Sequence, residues 1–279
     1  MFTKLTEPTK GLIFFALAFA LTLVAALLAP VFGEATMFLH MFTPTVATLL
    51  MLLVVTRDGY SRSNWRELDL GRAGLRSWPL ATLGSSIAIG AVYSLTWGSG
   101  VGRLVLPAGT TPGGFALDFL IEVVINSLFA LGEELGFRAY LLPRLLPLGT
   151  TRALLLSGLM HGLWHFPLML LTPLYPIAGS WLIVGPLVLL VLTTAGVFYG
   201  YLRLTSASVW PSTLAHGSVN ATLDVCGTLT VAASPVLLQY LAGETGILTL
   251  AATTLLAVWL IARLRQRGNI AAMQAQVAA

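Results

Sequence analysis

Leu131-Gly-Glu-Glu-Leu-Gly-Phe-Arg138 lies inside an apolar run, Phe115 to Leu142, that has the length of a membrane-spanning helix. Two carboxylates and a guanidinium in such a segment cost about 2.5–3.5 kcal/mol each at the bilayer centre on insertion scales. Charges carried at that cost face a protein interior or a water-filled cavity, not lipid. The stretch therefore predicts a membrane protein whose other helices enclose this turn.

The composition points the same way. Of 279 residues, 57% are hydrophobic and only 9% charged, whereas a soluble domain carries about 25% charged residues. The mean hydropathy is +0.87. These values exclude a soluble enzyme with a single anchor, and nothing suggests a nucleic-acid partner. The one cysteine, Cys226, excludes an intrachain disulfide or a thiolate metal cluster and reads as a small core residue.

About 20 apolar residues span a bilayer. On that rule the chain is an all-α integral membrane protein, a bundle of about eight transmembrane helices forming a single domain over residues 1–279. The predicted spans are Gly11–Phe32, Met37–Thr56, Trp78–Ser99, Phe115–Leu142, Arg152–Leu171, Trp181–Leu204, Val209–Cys226 and Gly246–Leu264. The seventh, with Ser212, Thr213, His216, Ser218, Asn220, Thr222 and Asp224, is polar enough to require enclosure by other helices. Leu229–Leu241, interrupted by Ser234-Pro235, reads as a re-entrant or short helical piece. Arg57–Arg76 reads as either a surface-lying helix or a solvated loop.

The basic residues are one-sided. Of 15 Lys and Arg, Arg138 lies within the fourth span and Arg103 stands alone on one side; all the rest, Lys4 to Arg267, fall on the other. By the positive-inside rule both termini are cytoplasmic. The high Ala, Leu and Arg usage with few Lys suggests a prokaryotic protein and hence the bacterial inner (plasma) membrane.

Polar groups inside the spans recur at helical spacing. Glu134 and Arg138 are four apart and can pair. Glu133 is rotated by about 100° from Glu134 and so is free for another role. His161 and His165 are four apart on the fifth span, and His216, Asn220 and Asp224 form a stripe at the same spacing on the seventh. Counted along their helices at 1.5 Å per residue, Glu133, His165, His216 and Asn220 share a layer roughly 12–20 Å from the cytoplasmic edge. Such a set suits hydrolysis: a carboxylate as general base, imidazoles that position water or hold a metal, and an amide or imidazole N–H for an oxyanion. Neither H-E-x-x-H nor G-x-S-x-G occurs. Asp118 and Glu122, toward the outer half of the fourth span, read as water-exposed or hydrogen-bonded to neighbours, and Asp224 as structural.

Three motifs in order resemble the CAAX-protease and bacteriocin-processing (CPBP, Abi) family of intramembrane proteases. They are Glu133-Glu134-x-x-x-Arg138, His161-x-x-x-His165, in which His161 stands at a position usually aromatic, and His216-x-x-x-Asn220. The motif-bearing core is about 115–226. The resemblance implies an endopeptidase in which Glu133 and His165 activate water, His216 and Asn220 stabilise the oxyanion, and Glu134 with Arg138 supports the turn. In its metalloprotease form, His165 and His216, with Glu133, ligate a divalent metal such as zinc. The extra imidazole of His161 either widens the metal-binding options or packs. The partners implied are the lipid bilayer and a peptide or protein substrate, prenylated or a leader peptide. Two other classes fit intramembrane Glu and His: a proton-coupled transporter, for which no internal repeat is visible, and a non-catalytic immunity or peptide-binding protein.

Overall fold

The computed structural model describes residues 5–278, with side chains described as far as residue 266. Lys4 and the side chain of Arg267, both counted in the charge asymmetry, lie outside the described residues. Eight long helices run through the rest. They are α1 Glu7–Leu27, α2 Ala35–Leu50, α3 Ser85–Gly98, α4 Pro112–Glu134, α5 Thr150–Leu171, α6 Trp181–Ser206, α7 Trp210–Thr228 and α8 Ile247–Ala278. Helix starts follow local chemistry. Thr111, extended, accepts a hydrogen bond from the Gly114 N–H while Pro112 opens α4. This removes one orphan donor and wastes none on proline.

Seven of these helices, with their continuations, are long and apolar enough to cross a membrane. The exception is α7. Its Ser212, Thr213, Ser218 and Thr222 are buried, and it packs against α3, α4 and α6. Polar residues are tolerated there because protein, not lipid, surrounds them. Close approach is permitted by glycine: a Cβ on Gly217 would strike the backbone of Ser127 in α4, and one on Gly158 of α5 would strike Thr193 of α6. Small residues at such crossings let backbones touch, which supplies much of the packing energy between helices in lipid.

Two connections carry short ordered pieces. Arg57–Arg76 is mostly loop, with a five-residue helix at Arg62–Arg66. It is pinned rather than free. Arg203 at the end of α6 pairs with Asp69 at 2.7 Å and donates to the Glu67 carbonyl at 3.0 Å, and Leu68 is buried. After α7 the chain forms a two-stranded antiparallel ribbon, β1 Gly102–Leu104 with β2 Thr230–Ala232, then a short helix Pro235–Leu241. The basic residues gather at one end: Lys10 pairs with Glu7 and Asp58, and Arg144 reaches Glu7 and Glu67.

Candidate active site

The opening stretch ends α4 and begins a π-helical segment, Leu135–Leu141. Widened turns of this kind occur often at functional sites. The two glycines explain how the turn is pressed inward. A Cβ on Gly132 would lie 2.7 Å from the Met41 carbonyl oxygen, and one on Gly136 would overlap Pro44, both in α2. Thr45 secures the contact by donating to the Gly132 carbonyl at 2.6 Å. Glu133, Glu134 and Arg138 are buried in consequence.

The two glutamates point to different partners. Glu134 Oε1 accepts from Arg138 Nη1 at 2.9 Å and from His216 Nδ1 at 3.0 Å. Glu133 Oε2 accepts from His161 Nε2 at 2.7 Å and lies 4.0 Å from His165 Nε2. Arg138 Nη1 also donates to His161 Nδ1 at 2.9 Å. One guanidinium nitrogen thus joins both carboxylate arms. Gly196 of α6 leaves it room, since a Cβ there would sit 3.1 Å from Arg138 Nη2. Tyr199 covers it, with the guanidinium carbon 5.1 Å from the ring centre. The same tyrosine stacks on His216, with centroids 5.0 Å apart and planes 15° apart.

The two histidines of α5 have different exposures. The His165 side chain is 17% exposed and lines a cavity of about 840 Å³. The His161 side chain is 1% exposed and sits behind Glu133, against the Phe137 ring. Glu133, His165, His216 and Asn220 all line the cavity, so four groups from α4, α5 and α7 converge on one space. Asp224 lies farther along the same wall. It also borders a second cavity of about 360 Å³ shared with Asp118 and Glu122, whose lining includes none of the motif residues.

Three residues at this site were not singled out as functional from sequence. His40 of α2 stacks on Trp164 with centroids 3.8 Å apart, and its Nε2 is 3.4 Å from His165 Nδ1. Its other nitrogen bonds the buried Thr22 hydroxyl of α1. A histidine inside a span was the available signal for His40. Tyr199 and Glu244 gave none. Glu244 lies between the Pro235–Leu241 helix and α8 and faces the cavity; burial pushes its carboxyl up to about 7. The cavity wall carries carboxylates and imidazoles but no Lys or Arg among the described residues.

A metal can be tested against these donors. Glu133, His161 and His216 offer ligand atoms within 4.8 Å of one another, and two imidazoles with a carboxylate suit catalytic zinc. His216 fits: its Nδ1 donates to Glu134, leaving Nε2 with a lone pair, as ligating histidines are usually arranged. His161 does not fit, because Arg138, which has only donors, occupies its Nδ1, so Nε2 bears the proton. His165 is not one of the three; its Nε2 stays 4.0 Å from Glu133 Oε2, and its Nδ1 lies 3.4 Å from His40 Nε2. Two ligands remain, Glu133 and His216, fewer than the three of a catalytic zinc site.

Residues 112–222, from the start of α4 to Thr222 just past Asn220, match a family model described as type II CAAX prenyl endopeptidase Rce1-like. No curated protein matches the chain.

Proposed function

We propose that this integral membrane protein, Rce1-like over residues 112–222, is an intramembrane endopeptidase that hydrolyses a peptide bond with a water activated by Glu133. The observation that carries the reading is the placement of the Glu133 carboxylate at the wall of the 840 Å³ cavity, with His165, His216 and Asn220 lining the same space. His161 occupies Oε2, which leaves Oε1 for a water on the cavity side. His165, the α5 imidazole that reaches the cavity, orients that water.

As the water attacks the carbonyl carbon, Glu133 takes its proton and later passes it to the departing amine. The developing oxyanion needs donors aimed at it. The Asn220 amide donates in any protonation state. His216, whose Nδ1 proton is committed to Glu134, donates from Nε2 only as an imidazolium. The larger share therefore falls to Asn220. Glu134 and Arg138 hold the turn and seat His216 and His161.

The wall of the cavity is mostly apolar, which suits a peptide carrying a lipid or an apolar segment, as in CAAX-prenyl-protease-like processing. The basic end of the bundle faces the cytoplasm of the bacterial inner membrane, with both termini on that side. The test is cleavage of a farnesylated C-terminal peptide by the purified protein in nanodiscs. The parent cleaves it and Glu133→Ala does not; an alanine variant as fast as the parent overturns the reading.

A further inference from the structure

We infer that His161 is a positioning residue: Arg138 holds it in the Nε2–H tautomer, so that it fixes the Glu133 carboxylate and is withheld from metal. The inference rests on the reading of Glu133 as general base only for its kinetic consequence; the tautomer stands on geometry alone.

The argument is one of counting protons. A guanidinium has donors and no acceptor. Arg138 Nη1 carries two hydrogens and meets two acceptors, Glu134 Oε1 and His161 Nδ1, each at 2.9 Å. His161 Nδ1 is therefore a lone pair. A neutral imidazole with that lone pair carries its hydrogen on Nε2, which lies 2.7 Å from Glu133 Oε2 and donates to it. An imidazolium would set N–H against N–H and place two cations 2.9 Å apart. A metal on Nε2 would require either the same clash at Nδ1 or an imidazolate.

Arg138 has nowhere to withdraw. Its Nη2 lies against Gly196, Tyr199 covers the guanidinium, and the side chain is fully buried. His161 is equally confined: Phe137 packs on its ring, with centroids 4.6 Å apart, and it does not line the cavity. It therefore touches neither water nor substrate and acts through Glu133. In a motif where an aromatic ring is usual at this position, this chain has a hydrogen-bond donor. The donor ties down Oε2 and turns Oε1 toward the reacting water.

The first test needs no substrate. Protein labelled with 15N-histidine, in nanodiscs, is measured by long-range 1H–15N correlation, and the His161 signals are identified by their loss in His161→Gln. The expected pattern is Nε2–H, unchanged when Zn2+ is added. An Nδ1–H or doubly protonated pattern, or signals that shift with Zn2+, overturns the inference.

The second test is kinetic, on the farnesylated peptide. His161→Phe lowers kcat by about 10- to 100-fold, the size expected when a reacting group is misplaced, with KM within about twofold. His161→Gln, whose amide can donate to Glu133, recovers most of that loss. A His161→Phe variant with the parent's kcat sinks the positioning role. If the parent cleaves no peptide while the Nε2–H pattern is observed, the protease reading fails and the tautomer assignment stands.

Discussion

Among the described residues ion pairs occur at two places, and they differ in what surrounds them. At the basic end, Lys10, Arg144 and Arg203 meet carboxylates that are partly exposed; Glu7 and Glu67 keep 46% and 54% of their side-chain surface. In the interior, Glu134 and Arg138 are both at 0%. Water screens the first group and competes with it, so each pair is worth about 0–1 kcal/mol. Nothing screens the second, and removing one partner strands a charge. The rim pairs gather at one end of the bundle, whereas the buried network joins Glu134, Arg138, His161 and His216 in its interior.

The sharpest contrast is expected at Glu133. Glu133→Gln keeps the shape and removes the base, so peptide cleavage falls by about 10²–10⁴-fold with little change in thermal stability, as read by a melt in detergent. Arg138→Met acts on stability instead: it takes the cation from Glu134, which keeps only the His216 hydrogen bond, and costs about 3–5 kcal/mol, seen as lower yield and an earlier melt. Equal melting of Arg138→Met and the parent would erase the distinction between rim and interior. Asn220→Ala removes an oxyanion donor and lowers kcat by about 10²–10³-fold while KM holds.

Smaller effects probe the periphery. Glu244, held at about 7 by burial against a usual value of 4.5, binds its proton more tightly folded than unfolded. Its contribution to stability is therefore complete below about pH 4.5 and is lost as pH rises through 7. Melts at pH 5 and pH 8 should show the lower stability at pH 8, and Glu244→Gln should narrow the gap. At the rim, Glu7→Gln changes stability by no more than about 1 kcal/mol, and added salt reduces even that.

Much of the fold was legible because its signals are local. Runs of about 20 apolar residues need only their own composition to be read as spans, and the spacing of four between Glu134 and Arg138 needs only a helix. The seventh span was legible for the opposite reason: its polarity required enclosure, and α7 lies against α3, α4 and α6. The ribbon between β1 and β2 was not, since three-residue strands carry no periodic signal and pair across more than a hundred residues.

The site was legible in part. Its depth could be counted along each helix, but the rotation of each helix about its axis could not. That rotation puts His161 rather than His165 within hydrogen-bond reach of Glu133. It also turns His40, on a helix outside the three motifs, toward His165.

By itself the amino-acid order determined the helices, the one-sided placement of basic charge and the three motifs, because hydrophobic length and side-chain spacing are properties of a single segment. Only the tertiary structure decided which groups each histidine meets. Arg138 shares one Nη1 between Glu134 and His161, and Thr22 of α1 meets His40. Those contacts join helices far apart in sequence. Glycines at 132, 136, 158, 196 and 217 let the backbones and the Arg138 side chain come close enough to make them.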